Sequence, residues 1–359
     1  MQPHNSSERL LDVARRLAWL GLVGVGGPAA HIALMRRRLV QRDGWVSDDE
    51  FSRLVGACAL IPGPNSTEMA MALGARRAGW RGLLVGGLSF ILPAFAIVCA
   101  VAVFYEDVLT SQLIADIRRW VVPIIVAIIL DALLSLRTSA LRDRKDVVVV
   151  IVSLATAVFG LPELLILILV GAIAMLMRVT MSDGRSGAFV IPVVAVVTPS
   201  LFKIFVVFLQ IGSVIFGSGY VLLVFLESEV VARGWISSAV LLDAISVGQL
   251  TPGPVFTTAT FIGWHLAGFA GAAVATLGIF GPSFVFAGLI ERVVLFSQRS
   301  RTFSAFLRGV SSGSIALMAV VLWRLGNEAL VDVWTIITFV AAFALIRLNV
   351  LRVLRRLRH

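Results

Sequence analysis

The sequence predicts an all-α, polytopic membrane protein made of two homologous halves, arranged as an inverted repeat with broken or re-entrant helices. Three observations carry this expectation. The 359 residues are 58% hydrophobic and 14% charged, with a mean hydropathy of +0.96, whereas soluble domains are about half apolar and about a quarter charged. The sequence matches itself in one register, Gly44-Trp45-Val46-Ser47 on Gly234-Trp235-Ile236-Ser237, Leu60 on Leu250 and Gly27 on Gly217. Finally, a Pro-Gly-Pro triplet interrupts an apolar stretch in each half, at Pro62-Gly63-Pro64 and at Pro252-Gly253-Pro254.

Apolar stretches that fit the ~20 residues needed to span a bilayer run in order over 17–35, 82–105, 113–136, 146–178, 201–226, 268–290, 303–325 and 331–350. The fourth is long enough to hold two short segments, with Pro162 and Glu163 at the turn. Stretches 50–77 and 240–265 contain the triplets. Proline removes a backbone donor and glycine relaxes the chain, so Pro62, Pro64, Pro252 and Pro254 mark helix breaks at membrane depth. Such breaks survive only inside protein or along a cavity, and a pair in corresponding positions points to a transporter's binding site. After the triplets the register shifts by one residue, and Gly79, Gly82, Leu88 and Pro93 fall on Gly268, Gly271, Leu277 and Pro282. The first repeat is thus expected over 1–178, a polar linker over 179–189 and the second repeat over 190–359. Gly82, Gly86, Gly87, Gly271 and Gly278 are small enough to let helices approach closely.

The net charge of +10 comes largely from arginine in short loops between apolar stretches. Membrane orientation explains that placement better than nucleic-acid binding does. Arg36, Arg37, Arg38 and Arg42 follow the first stretch, and Arg76, Arg77 and Arg81 follow the first broken one. The corresponding positions of the second half carry Glu227, Glu229 and Arg233, then Trp264 and His265. A consistent path results if the broken stretches are re-entrant hairpins, each half crosses an odd number of times and the halves are inverted. That path treats 17–35 as one span and sets the N-terminus on the far side from the basic loops. It leaves Arg9, Arg15 and Arg16 as exceptions, on an amphipathic surface helix. No short apolar region with a small-residue cleavage site follows the polar residues 1–16, so no cleavable signal peptide is expected.

A helix that begins after Gly63 places Pro64 at its first position, where proline is favoured. Its free donors are then the amides of Gly63, Asn65 and Ser66, with side-chain donors from Asn65, Ser66 and Thr67. The matching turn offers the amides of Gly253, Val255 and Phe256, with the hydroxyl of Thr257. A helix N-terminus carries about half a positive charge and presents N–H groups, which suits a small oxyanion. The alternative is that each triplet is a packed kink. Glu68, one turn further, can bind and release a proton and is a candidate for coupling; the alternative is a carboxylate held by an arginine or by His31. His31 is a packed histidine or a site residue. Arg76 is a vestibule cation or a cytoplasmic anchor, and Asp131 a paired or snorkelling residue. Cys58 and Cys99 read as buried free thiols. The chain contains no HExxH, Walker-type GxxxxGK or GxSxG motif and no metal-ligand cluster, so neither enzyme chemistry nor a metal or other cofactor is expected.

Together these motifs resemble the chromate transporter family. They are Gly26-Gly27-Pro28-Ala29-Ala30-His31, Gly44-Trp45, Pro62-Gly63-Pro64-Asn65, Gly74-Ala75-Arg76-Arg77-Ala78-Gly79-Trp80-Arg81-Gly82 and Phe90-Ile91-Leu92-Pro93. The second half repeats them as Phe216-Gly217-Ser218-Gly219-Tyr220, Gly234-Trp235, Leu250-Thr251-Pro252-Gly253-Pro254 and Gly278-Ile279-Phe280-Gly281-Pro282. The resemblance implies a long-chain, two-domain member in a bacterial inner membrane that exports chromate, an oxyanion shaped and charged like sulfate. Its partners are then that oxyanion and the lipid bilayer, without nucleic acid; a homodimer is left open. A sulfate importer or exchanger and a passive anion channel are the alternatives within transport.

Overall fold

The computed structural model describes residues 6–25, 27–59, 61–108, 112–140, 144–158, 163–179, 199–215, 221–290 and 301–356. Gly26, Leu60, Pro162, the linker from residue 180 onward and the 216–220 motif lie outside the described residues. In chain order the α-helices are α1 (Ser6–Val23), α2 (Gly27–Met35), α3 (Asp48–Cys58), α4 (Asn65–Val108), α5 (Gln112–Ala140), α6 (Arg144–Val158) and α7 (Glu163–Val179). They continue as α8 (Leu201–Val214), α9 (Val221–Leu226), α10 (Ser238–Leu250), α11 (Thr258–Gly288), α12 (Arg301–Ala329) and α13 (Val333–Arg356). The chain divides into two compact units, Met1–Phe104 with Met181–Ser304 and Tyr105–Thr180 with Ala305–His359. Each unit therefore draws on both sequence halves.

In the first unit, α1 and α2 do not form one rod. Gly27 takes φ 78°, and Pro28 falls in the first turn of α2, where its missing N–H costs nothing. Beyond the break α2 runs into a π-helical turn, Arg36–Arg42. Arg16 Nη1 lies 2.8 Å from Asp43 Oδ2, and Arg77 Nη2 lies 3.3 Å from Asp12 Oδ2. The start of α1 and the end of the π turn are therefore neighbours. This corrects the expectation of a single span over 17–35 with its two ends on opposite sides. The chain folds back between α1 and α2, so Arg16 joins the basic loops and needs no exception.

Helix α3 is capped by Ser47, whose hydroxyl accepts from Glu50 N at 3.2 Å, and its first turn carries Asp48, Asp49 and Glu50. Acids there complement the helix dipole. The helix stops at Cys58, ahead of the first triplet, and α4 starts at Asn65. Within α4 the backbone leaves helical geometry at Ala78 (φ −143°, ψ 25°) and Gly79 (φ 63°, ψ −153°). Gly74 packs on the Gly82 carbonyl, and a Cβ on Gly86 would lie 3.1 Å from the Ala70 carbonyl oxygen. Residues 65–77 and 80–108 are thus two antiparallel arms. Arg76 Nε meets Glu50 Oε1 at 3.0 Å, so α3 and 65–77 also form a hairpin, closed at its base by this pair and tipped by Pro62-Gly63-Pro64. The 11 residues of α3 rise about 16 Å at ~1.5 Å each, roughly half of the ~30 Å hydrocarbon layer.

The second half repeats the plan. Helices α8 and α9 precede a π turn, Glu227–Val231, and α10 is capped by Ser237. The second triplet leads into a short 3₁₀ turn, Val255–Thr257, and then α11. Helix α11 breaks at Ala267 and Gly268 with nearly the same dihedrals as α4, and its arms are joined by a Thr260–Thr276 hydroxyl bond of 2.7 Å. Asn65–Tyr105 and Val255–Gly288 are, among the described residues, the two stretches long and apolar enough to cross a membrane. Each folds back, leaving a long second arm, 80–108 in α4 and 269–288 in α11. These long arms pack on each other. Leu83 lies against Gly288, Gly87 against Phe284 and Phe95 against Phe269, so residue numbers rise along one as they fall along the other.

The second unit holds α5, α6, α7, α12 and α13. Stretch 146–178 is indeed two short helices. Gly309 of α12 lies against Val170 and Ala174 of α7, and Gly313 against Leu167, the close approach that small residues allow. Asp131 of α5 pairs with Arg347 of α13 at 2.9 Å, which meets the expectation of a paired carboxylate. Arg119 Nη2 donates to Asp332 Oδ2 at 2.6 Å.

Candidate functional site

The two triplets meet the opposite repeat at their tips. Gly63 N donates to the Ile215 carbonyl, just past α8, at 2.7 Å, and Gly253 N donates to the Gly24 carbonyl, just past α1, also at 2.7 Å. These bonds correct one expectation. The amides of Gly63 and Gly253 are not free for an anion, because each satisfies a carbonyl that a broken first helix leaves over. Both glycines have left-handed φ, 133° and 104°, which disfavours a side chain at either tip.

Around the first tip, Thr67 N and Glu68 N donate to the Pro64 carbonyl at 2.8 and 3.1 Å. Asn65 and Ser66 therefore supply the leading amides of α4. Ser66, Thr67 and Glu68 are buried, Glu68 completely. Among the described residues, Asn65 Oδ1, Thr67 Oγ1 and both Glu68 carboxyl oxygens have no hydrogen-bond partner. Among the described residues, neither His31 nor an arginine holds this carboxyl. A Cβ on Gly63 would strike Glu68 Oε1, and would lie 2.5 Å from Ser283 Oγ of α11. Ser283 is also fully buried, with its hydroxyl unpartnered among the described residues. The sequence reading missed it. Its one signal was a hydroxyl at the position where the other repeat has Ala94.

The second tip is chemically different. Val255 and Phe256 are buried, with Phe256 tilted on Phe280 at 6.2 Å. Thr257 Oγ1 donates to the Pro254 carbonyl at 2.8 Å, and Thr258 Oγ1 to the Val255 carbonyl at 2.8 Å. Thr257 was expected to offer its hydroxyl proton to a ligand. Within a buried turn it finds its acceptor on its own backbone.

His31 Nε2 donates to the Gly24 carbonyl at 3.0 Å, and its ring stands edge-on to Phe90. It braces the carbonyl that receives Gly253 N, and its Nδ1 is unpartnered among the described residues. Arg76 lies away from the tip, paired with Glu50, in a cleft of about 410 Å³ bordered by Leu54, Trp80, Leu83 and Gly288. Among the described residues no cluster of His, Cys, Asp and Glu suits a metal ion.

The pairing of a polar tip with an apolar one is joined by similarity along nearly the whole chain. A sequence profile described as "Chromate transporter" matches residues 11–176 and 202–355. A "Chromate transport protein" of Pseudomonas aeruginosa is 28% identical over 326 residues, covering 84% of this chain and 78% of that protein. A "Probable chromate transport protein" of Synechococcus elongatus is 30% identical over 338 residues, covering 88% and 84%. A "Chromate transport protein" of Cupriavidus metallidurans is 28% identical over 341 residues, covering 91% and 85%. No solved structure matches the chain. The two matched stretches take in both triplets and both long arms, and the chain belongs to the chromate transporter family.

Proposed function

We propose that the chain is a secondary transporter that exports chromate across the bacterial inner membrane as a multi-pass protein, coupled to protons or to anion exchange. The observation that carries this reading is the first tip, where α4 begins among buried polar atoms that have no partner among the described residues. The amides of Asn65 and Ser66, with the side chains of Asn65, Ser66 and Thr67, suit a tetrahedral dianion. Val255, Phe256 and Thr257 form the facing wall. Glu68 carries the coupling. An ionised carboxylate at full burial repels an incoming anion and itself needs a counter-charge, so anion loading is linked to a proton on Glu68. The antiparallel long arms and the reciprocal bonds of Gly63 and Gly253 support an inverted repeat. Rocking of one repeat against the other then exposes the site to each side in turn. The cargo is inferred from relatives whose names specify chromate.

Inside-out vesicles test the proposal. Concentrative chromate uptake that collapses with the proton gradient is expected. Uptake only down its own gradient would make the protein a channel, and strong competition by sulfate would leave the native cargo open between the two anions. Glu68→Gln should flatten the pH dependence of transport; unchanged pH dependence would remove Glu68 from the mechanism.

A further inference from the structure

Serine and threonine hydroxyls inside helices normally donate back to the carbonyl four residues earlier. In this chain Ser153 donates to Val149, Ser213 to Leu209, Ser246 to Leu242 and Thr276 to Ala272, at 2.7–2.8 Å. Ser283 does not. Its hydroxyl is fully buried and has no partner among the described residues, and it crowds the same point above Gly63 as Glu68 Oε1. A buried hydroxyl without a partner forfeits the hydrogen bonds it made to water, so an unbonded one aimed across a repeat boundary calls for a ligand. Packing alone does not demand a hydroxyl there. Ala94, the equivalent residue of the first repeat, fills the matching place against Gly253 with a methyl group.

We propose that Ser283 is the second repeat's contribution to the anion site, donating its hydroxyl to an oxygen of the tetrahedral dianion held at the start of α4. The proposal rests on the oxyanion-transporter reading and deepens it, because it makes the site one that neither repeat completes alone. It also fixes the asymmetry of the chain. Only the tip of the first repeat receives a hydroxyl from its partner repeat, so one anion site per chain is built and its mirror position is closed with carbon.

The test is equilibrium binding of chromate and of sulfate to the purified full-length chain at one pH, by calorimetry, for wild type, Ser283→Ala and Ser283→Thr. Ser283→Ala is expected to bind about tenfold more weakly, the loss of one hydrogen bond to a charged group. Ser283→Thr, which keeps the donor, is expected to stay within threefold of wild type. Ser283→Ala within twofold of wild type would overturn the assignment, and so would equal weakening by Ala and Thr, which signals packing. A wild-type protein that binds neither anion would instead defeat the oxyanion reading itself.

Discussion

Gly63 and Gly253 share a left-handed φ but face different neighbours, and this separates chemistry from scaffolding at single residues. A side chain at either position costs about 1–3 kcal/mol of backbone strain. At Gly63 the new methyl meets the movable ends of Glu68 and Ser283, whereas at Gly253 it meets the Cβ of Ala94, with the Gly21 carbonyl at 3.3 Å. Flexible ends can give way and a packed helix cannot. Gly253→Ala is therefore expected to lower the melting temperature more than Gly63→Ala does, while Gly63→Ala weakens chromate binding more. Equal effects on both readouts would show that the tips do not differ in this way. The polar run from Asn65 to Glu68 was legible in the sequence because it follows a helix break. Ser283 and the Gly24 carbonyl were not legible, because each acts on a residue of the other repeat that no local pattern names. Thr257 misled for the opposite reason, since a threonine in a turn finds its own backbone first.

At the scale of elements, hydropathy reports apolar content but not direction. It marked 82–105 and 268–290, the long arms of α4 and α11, as spans. The reading of 50–77 and 240–265 as re-entrant hairpins already requires each helix to double back, which it does at Gly79 and Gly268. It also merged α1 with α2, although the Gly-Gly-Pro sequence that breaks them was in view. The arginines were the better guide, because Arg16 pairs with Asp43 only if the chain returns. Polar joints between helices are similarly local. Asp332 immediately precedes α13 and its apolar helix Val333–Leu348, and accepts from Thr335 N at 2.9 Å, while Thr335 Oγ1 accepts from Asp332 N at 3.1 Å. The Thr335 amide first, and then the Arg119 guanidinium of α5, hold the Asp332 carboxyl below its ordinary value of 3.8. With the folded value below the unfolded one, its contribution is complete above pH 3.8 and is lost as pH falls through the folded value. Asp332→Asn should therefore melt below wild type at pH 7, with the two curves converging in acid. A gap of constant size down to the lowest pH would assign the stabilisation to something other than the carboxylate.

For the whole molecule, the two sequence repeats do not correspond to two bodies. Each compact unit combines parts of both halves, which the sequence cannot state because homology orders segments along the chain and not in space. What the sequence does carry is the imbalance of charge. Arg36–Arg42 in the first repeat is matched in the second by Glu227 and Glu229, and Glu229 is ion-paired with Arg233. If basic loops stay cytoplasmic, equivalent positions face opposite sides, as the antiparallel long arms require. Arg42 and Ala232 are such a pair, both exposed at the ends of the π turns. The two native cysteines, Cys58 and Cys99, are free and buried, so an impermeant thiol reagent reads only an introduced cysteine. Arg42→Cys is expected to label in inside-out vesicles and Ala232→Cys in intact spheroplasts. Labelling of both from one face would overturn the inversion, and with it the convergence of the two triplets from opposite sides. Alternating access would then need a motion other than the rocking of mirrored repeats.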